Sequence, residues 1–293
     1  MKCFYLFWGI LLFSKSCLKD DLSGCYRSHS IKIVAEVLSG GDVVDIQDIK
    51  HVDLYIFNKE GKFLDKITCK LNEYVDLNYP EEEILNIVGF ANISESNETI
   101  TLFAEGILEK DGKICLIKFQ DYLSQPIYGS PSDILWGETG VSGSDSGNTA
   151  ILPVKRIVAS VNVKVRGLEE LTKTNSDFRI VLSTKYHTVD FNGNAMGNDT
   201  NYLPEGGVFA SRNPSQFEIP TFRIFATSQG TPVDVKVYYK DKLLDIISKD
   251  NEGNQLLAYN GKLLEIKISY LENAALTIQM TSDWDTETIW KDI

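Results

Sequence analysis

The residues best spaced for ion chemistry lie in one short segment of the second half of the chain. Asp190, Asn192 and Asn194 stand at the first three ligand positions of a calcium-binding loop, where carboxylate and amide oxygens would meet a hard cation. The sixth position is Ala195, where that loop needs glycine, and the twelfth is Asn201, where it needs glutamate. The segment therefore predicts an Asn-Gly turn and no metal site.

Groups suited to catalysis are sparse along the chain. Ser146 stands between an aspartate and a glycine, as a serine-protease nucleophile does, but it lies in a glycine- and serine-rich segment without a plausible His–Asp pair nearby. The three histidines of the chain are widely separated: His29, His51 and His187. The sequence contains no phosphate loop, no dinucleotide fingerprint and no CxxC motif. We therefore expect a binding or structural protein that is not an enzyme and that needs no cofactor.

Charge and composition narrow the class of protein further. The 293 residues include 29 Lys and Arg against 41 Asp and Glu, which gives a formal net charge of −12. Nucleic acids and anionic membranes are bound by basic surfaces, so neither is an expected partner. A hydrophobic fraction of 43% excludes a disordered chain, and the length suits about two domains.

The N-terminus has the features of a bacterial lipoprotein signal. The apolar run of residues 3–13 is too short to span a membrane and fits the core of an export signal. Ser16, a small residue, directly precedes Cys17, so residues 1–16 are predicted to be removed and Cys17 to receive a covalent lipid. Lys15 departs from the small or apolar residue that is commoner there. The alternative is ordinary secretion with an unmodified Cys17.

A short polar segment follows the predicted lipid site. Lys19, Asp20 and Asp21 form a Cys-x-Lys-acidic-acidic start, which resembles the surface-export signal of Bacteroidetes lipoproteins. This resemblance implies an outer-membrane, lipid-anchored protein that faces outward, with residues 17–29 as its tether. The alternative is that any tether beside a membrane is polar.

Of the five cysteines, Cys3 is lost with the predicted signal and Cys17 would carry the lipid, which leaves Cys25, Cys69 and Cys115. They allow at most one intramolecular disulfide. A bond from Cys25 to either of the others would fix the tether to the first domain, and the sequence does not choose between the two partners. Cys69 or Cys115 could equally be a small buried hydrophobic residue.

Alternation of apolar and polar residues dominates the rest of the chain and predicts strands. It is clear in residues 31–37 and 157–165, whose odd-numbered positions are apolar. No long amphipathic helix separates the strands, which favours antiparallel β-sandwiches over a parallel α/β sheet. Because glycine and serine are concentrated in residues 129–148, we predict an all-β fold with one sandwich in residues 30–150 and a second in residues 151–293.

Several segments, taken in order, resemble the fimbrillin-associated anchor family of Bacteroidales. The tether with Cys17 and Cys25 comes first, followed by the strand and turn VDLYIFNKEG. The similarity continues through three further segments and one tryptophan: IVGFAN (residues 87–92), DILWG (residues 133–137), KRIVASVNVKV (residues 155–165) and Trp284. Together these segments cover nearly the whole mature chain.

The resemblance implies two transthyretin-like β-sandwich domains, no catalysis, and fimbrial shaft or accessory subunits as partners. In such fimbriae a strand from one subunit completes a groove in the next, so an anchor that keeps its own first strand would end the polymer. The implied interface residues are Ile31, Ile33, Ala35, Val37, Leu276, Ile278, Met280 and Trp284. The alternative is that the first strand is simply core and that the tail has only a packing role.

A competing class has the same N-terminal signal and the same architecture. A surface lipoprotein of a glycan-uptake system could use Trp136, Trp284 and Trp290 to stack on sugar rings. Aromatic residues in strands are more often core, so the sequence alone favours the fimbrial anchor.

Overall fold

A computed structural model describes residues 29–36, 49, 51–101, 108–142, 149–173, 176–204, 206–210, 213–271 and 277–281. Predictions for several residues fall outside these ranges: Cys17, Lys19, Asp20, Asp21, Cys25, Val37, Leu276, Trp284 and Trp290. For residues 277–281 only the backbone is described. Within the described ranges no helix has the length and apolar character needed to cross a bilayer.

The described part of the chain is built almost entirely from strands, as the alternation predicts. The first half contains β1 (His29–Ala35), β2 (Val52–Asn58), β3 (Phe63–Cys69), β4 (Tyr74–Leu77), β5 (Ile84–Ala91), β6 (Glu98–Thr101), β7 (Lys113–Leu116), β8 (Lys118–Tyr122), β9 (Gln125–Tyr128), β10 (Leu135–Ser142) and β11 (Thr149–Arg156). The second half contains β12 (Val158–Arg166), α1 (Leu168–Thr172), β13 (Phe178–Thr184), β14 (Thr188–Asp190), β15 (Ala195–Met196), β16 (Thr200–Tyr202), β17 (Val208–Ala210), β18 (Asn213–Phe225), β19 (Asp234–Tyr239), β20 (Lys242–Ile247), β21 (Leu263–Ser269) and β22 (Thr277–Thr281).

The first sandwich is made from one seven-stranded sheet with the order β3-β2-β5-β10-β11-β1-β4. β10 and β11 pair at only two positions, so the sheet divides there into two leaves that share β11. Apolar side chains of β1 and β11 meet those of β2 and β5 between the leaves and form a separate core. Alternation along β1 is the sequence signature of this arrangement because one face of that strand is buried.

The second sandwich packs a five-stranded sheet, β17-β18-β12-β21-β22, against a six-stranded sheet, β20-β19-β13-β16-β9-β8. Its core contains the odd-numbered valines of β12 together with apolar residues of β13, β19 and β21. A smaller sheet with the order β15-β14-β7-β6 lies beside it. The fold class is therefore all-β, as predicted.

An aromatic junction, defined here as Tyr55, Phe57, Phe90 and Phe191, connects the first sandwich to the second half of the chain. The Phe191 ring lies edge-on to the other three, with centroid distances of 5.0 to 6.0 Å. All four side chains are fully buried. β2 is therefore buried on both faces, which explains why it is apolar at almost every position.

The alternation of apolar and polar residues did not predict the directions or the pairing partners of the strands. Among the described strands, three pairs are parallel: β1 with β11, β12 with β21, and β9 with β16. Each of these connections is long enough for the chain to return in the same direction. The predicted division at residue 150 falls inside β11, and β7 pairs with β14 across it.

Candidate strand-exchange site

The first strand, β1, lies inside the first sandwich with both of its edges occupied. It pairs in parallel with β11 along its length and antiparallel with β4 at four residues. Ile31 and Ile33 are fully buried and Ala35 almost so. The backbone N–H of Glu36 extends the pairing by donating to the carbonyl oxygen of Val154 at 2.8 Å. In this conformation the three apolar residues are core, which is one of the two roles that the sequence allows.

The outward face of β1 is held by weaker contacts. The hydroxyl groups of Ser30 and Thr149 are 3.0 Å apart, and the Lys32 ammonium lies 5.7 Å from the centroid of the Tyr74 ring. The Tyr74 side chain is 65% exposed. Contacts of this kind near solvent contribute little to stability, so the buried apolar face and the backbone ladder hold β1 in place.

The last described strand, β22, occupies the end of the five-stranded sheet. It pairs antiparallel with β21, with Ile278 opposite Ile266 and Met280 opposite Leu264. Among the described residues, no strand pairs with the other edge of β22. The structure thus places β1, with Ile31, Ile33 and Ala35, in a different sheet from β22.

Three residues of the segment DILWG, which contributes to the family resemblance, each make a different structural contact. The two carboxylate oxygens of Asp133 share the single N–H of Arg156 Nε, at N···O distances of 3.0 and 3.1 Å, and both side chains are largely buried. Trp136 Nε1 donates to the carbonyl oxygen of Phe191 at 2.9 Å. A Cβ atom on Gly137 would lie 1.9 Å from the carbonyl oxygen of Pro153.

The glycine of IVGFAN serves the same close approach. Gly89 pairs directly with Gly137 across β5 and β10. A Cβ atom on Gly89 would lie 2.6 Å from Cδ2 of Leu152, which is on the opposite leaf. Two glycines facing each other therefore let β11 pass close over the sheet, because neither carries a side chain there.

The segment VDLYIFNKEG combines packing with turn formation. The Asp53 carboxylate accepts a hydrogen bond from Thr68 Oγ1 at 2.6 Å and pairs with Lys66 Nζ at 2.9 Å. Asn58 Oδ1 accepts the backbone N–H groups of Glu60 and Lys62, and Gly61 follows with φ of +76°. The segment that resembles the anchor family is therefore a structural unit of the first sandwich.

Trp136 has little aromatic surface to offer a sugar. Besides donating its N–H, its ring packs against Gly193, where a Cβ atom would lie 2.7 Å from the indole. It also packs against the core of the second sandwich. Of the two roles considered for Trp136, the structure supports the core role.

The two described cysteines, Cys69 and Cys115, both carry free thiols. Cys69 is buried, and its Sγ donates to the carbonyl oxygen of Val52 at 3.6 Å. Burial, with the nearby charges of Glu73 and Asp53, raises the pKa of the Cys69 thiol to about 11. Cys115 Sγ accepts a hydrogen bond from Thr188 Oγ1 at 3.5 Å. A disulfide from Cys25 stays a prediction.

The aspartate segment considered for calcium forms a turn, as the sequence predicts. Asp190 Oδ1 accepts the backbone N–H of Asn194 at 2.7 Å, and Gly193 has φ of +77°. The side chain that would have been the first ion ligand is used to close a hairpin. Glycine at this position is required because the left-handed conformation is strained for other residues.

Sequence reasoning missed a buried carboxylate that holds two loops together. Glu98 is 3% exposed, and its oxygens accept the backbone N–H groups of Ser132 at 2.6 Å and Ser94 at 2.8 Å. Burial raises the pKa of Glu98 against the opposing effect of these hydrogen bonds. No short motif marks Glu98, because one of its partners, Ser132, lies 34 positions away in the sequence.

These features together define an all-β protein with β-sandwich architecture, in which the described motif residues serve packing and turns. The family model for fimbrillin-A associated anchor proteins Mfa1 and Mfa2 matches residues 24–290. The chain belongs to this family, and the resemblance found in the sequence is confirmed.

Relatives and solved structures agree with this assignment. The major fimbrium anchoring subunit FimB of Porphyromonas gingivalis strain W83 is 24% identical over 289 residues, which span 92% of this chain and 90% of FimB. The fimbrial anchor protein Mfa2 of P. gingivalis superposes with a TM-score of 0.62 at 12% identity, covering 88% of this chain and 98% of Mfa2. A DUF1812 protein of Bacteroides thetaiotaomicron gives a TM-score of 0.67 at 15% identity, with coverage of 87% and 96%.

Proposed function

We propose that this protein anchors the base of a surface fimbrium to the outer membrane and limits the length of the fimbrium. Membership of the anchor family is the observation that carries the proposal. FimB is named as an anchoring subunit and Mfa2 as a fimbrial anchor, and both span almost the same length as this chain. Its partners are fimbrial shaft or accessory subunits, with which it assembles at the cell surface.

Attachment to the membrane is assigned to a lipid on Cys17. One acyl chain gives only marginal binding at about 0.8 kcal/mol per buried CH₂, whereas the three chains of a mature lipoprotein hold permanently. Replacing Cys17 with alanine is expected to release the protein into soluble fractions or leave it unprocessed. Unchanged membrane fractionation, with no acyl label on the wild-type protein, would contradict this assignment.

Outward display is assigned to Lys19, Asp20 and Asp21. Replacing all three with alanine should keep the lipid yet protect the protein from protease added to intact cells. Acyl labelling of the same variant is the control, since it separates export from lipidation. Continued digestion on intact cells would mean that these residues serve only as a polar tether.

Joining to the neighbouring subunit is assigned to β-strand complementation. Added strands satisfy edge N–H and C=O groups while alternate side chains enter pockets. The proposal is supported by the position of β1, which already lies between β11 and β4, so the first sandwich needs no donated strand there. A subunit that retains its first strand accepts one neighbour and presents no second groove, which is how growth would end.

The decisive experiment is deletion of the protein followed by electron microscopy of cells and medium. Fimbriae should become longer and be shed, since neither attachment nor termination remains. The Cys17→Ala variant separates the two roles, because it should lose attachment while retaining length control. Normal length and attachment in the deletion strain would refute the anchor function.

The C-terminal tail requires its own test. Removing residues 276–293 takes away β22, which is paired with β21. If the tail is an interface, assembly should weaken while the melting temperature stays close to that of the full chain. If it is core, the second sandwich should melt at a lower temperature, and the interface assignment of Leu276, Ile278 and Met280 would be wrong.

A glycan-binding surface lipoprotein is the second candidate function. The DUF1812 structure carries a provisional name as a polysaccharide-binding protein, and its fold resembles this one at 15% identity. Capture of fimbrial subunits supports the anchor function whether or not a sugar binds, whereas binding to a glycan array without any capture of fimbrial subunits supports the second candidate. Trp136 is not the expected sugar platform, because its ring is packed against Gly193.

A further inference from the structure

A groove of about 540 Å³ opens between the β8–β9 hairpin and β18, away from the strands assigned to assembly. Its aromatic wall contains Phe119, Tyr128 and Phe222, and its polar rim includes Gln120 and Thr221. The volume falls within the range of roughly 300–1,000 Å³ that is usual for ligand sites, and the mixture of many apolar and few polar groups is also typical.

Phe119 projects from the sheet edge because the strand is irregular at that point. The pairing of β8 with β9 shifts between Lys118 and Gln120, so Phe119 is the extra residue of a β-bulge. Its side chain is 66% exposed although it is large and apolar. Bulges redirect single side chains and are common beside binding sites.

The Phe119 ring nevertheless has firm support. A Cβ atom on Gly129 would lie 2.4 Å from Cε2 of Phe119, so the ring lies directly against the backbone of Gly129. The wall behind it is fixed by Ser130, whose hydroxyl donates to the carbonyl oxygen of Arg223 and accepts its N–H at 3.1 and 2.9 Å. Such a ring offers apolar surface to a ligand at a small entropic cost.

A second ring of the groove, Tyr128, is also held in place. It stacks on the imidazole of His187 with a centroid distance of 4.9 Å and an interplanar angle of 21°. His187 is fixed in turn by a 3.2 Å contact between its Nδ1 and Thr200 Oγ1. Two supported aromatic side chains therefore line one groove.

The polar groups of the groove are neutral. None of the described residues that line it carries a charged side chain, although the chain has a net charge of −12. Within the described parts of the chain, the Gln120 amide and the Thr221 hydroxyl make no hydrogen bond, and both residues are exposed. They are available to a ligand that both donates and accepts hydrogen bonds.

We propose that this groove binds a neutral saccharide. Sugar rings carry apolar C–H faces that suit Phe119 and Tyr128, and hydroxyl groups that suit the Gln120 amide and the Thr221 hydroxyl. A strand-forming peptide fits less well, because the bulge at Phe119 interrupts the regular edge of β8 that such a peptide would need. The site goes beyond the anchor function and does not depend on it.

The test is isothermal titration of the full mature chain with neutral hexasaccharides of glucose, mannose, galactose and xylose. At least one should bind with a Kd below about 1 mM, and Phe119→Ala should weaken that binding by about tenfold. Gln120→Ala should weaken sugar binding less, by only several fold, because this variant loses one hydrogen-bonding group and keeps the aromatic wall. Failure of all four sugars to bind would overturn the proposal.

Tyr74→Ala is the matched control, because Tyr74 is equally exposed but lies on β4 in the first sandwich. Its binding should equal that of the wild type, and the melting temperatures of all three variants should be close to that of the parent. Equal weakening by Tyr74→Ala would mean that sugars adhere to exposed aromatic residues in general. If Phe119→Ala instead weakens capture of a fimbrial subunit and no sugar binds, the groove is a protein interface and the proposal is wrong.

Discussion

β1 and β12 are the first described strands of the two halves of the chain, and they have the same pattern of neighbours. Each pairs in parallel with a later strand of its own half, β1 with β11 and β12 with β21, and antiparallel with another strand on its other side. They differ in burial. β1 alternates strictly between buried and half-buried residues, whereas residues 158–161 of β12 are all buried.

The outward faces of the two strands explain this difference. On β12, Lys164 pairs with Glu265 at 2.9 Å in a largely buried position, and β18 and β21 flank the strand over most of its length. On β1, only short β4 covers one edge, and the outward Lys32 contacts the exposed Tyr74 ring. Similar alternation in sequence therefore does not mean equal restraint, and we expect β1 to separate from its sheet more easily than β12.

The largest expected effect concerns the ion pair beside the junction of β11 and β12. Asp133→Ala removes the carboxylate that pairs with the largely buried Arg156 guanidinium, so the free energy of unfolding should fall by about 3–5 kcal/mol. Urea unfolding measures it. Asp121→Ala is the control, because its pair with Lys118 is exposed and should cost about 0–1 kcal/mol. Equal losses in both variants would show that the buried pair is not what fixes the end of β11.

A slightly smaller loss of stability is expected when a side chain is placed between β10 and β11, where they approach closely. Gly137→Ala places a methyl group against the backbone oxygen of Pro153, which cannot rotate away, and should cost about 3 kcal/mol. Gly140→Ala is on the same strand, where the nearest atom to an added Cβ is the Leu85 carbonyl oxygen at 3.9 Å, and should be nearly neutral. Thermal unfolding of both variants measures the difference. A neutral Gly137→Ala would mean that β11, and β1 with it, shifts freely.

Because β1 is less restrained than β12, we expect the two strands to differ in amide hydrogen exchange. Amide groups of β1 should exchange about tenfold faster than those of β12, because local opening of a less restrained strand costs less free energy. Mass spectrometry of peptides from residues 29–35 and 158–166 measures this in the intact chain. Equal protection of the two strands would remove the distinction drawn between them.

The smallest effect concerns the thiol at the end of β3. The Cys69 pKa is raised from 9.0 to about 11, so between these values the unfolded chain loses a proton that the folded chain retains. Stability should therefore fall as the pH rises from about 9 to 11. Cys69→Ala should reduce this fall in urea unfolding measured at both pH values. An identical pH dependence in Cys69→Ala would contradict the contribution of burial.

Local sequence determined the strands and several of their turns. Three hairpins share an Asx-x-x-Gly pattern that starts at Asn58, Asp190 or Asp250, and each starting side chain accepts a backbone N–H four residues on. The glycine of each turn has a positive φ. These features were readable because the interacting groups are close in sequence and because alternation follows directly from the two-residue repeat of a strand. The family was readable for a related reason, since its motifs are short segments in a fixed order.

Only the tertiary structure decided how the strands combine. The parallel pairing of β1 with β11, the passage of β11 over Gly89 and Gly137, and the pair between Asp133 and Arg156 all join distant positions. Alternation tells which side of a strand is buried and says nothing about which strand lies beside it. The groove at Phe119 depends on the same long-range placement, because a hairpin, a loop and β18 must meet before it exists. The sequence thus determined the elements and their inward faces, and the packing of distant segments decided partners, close approaches and the groove.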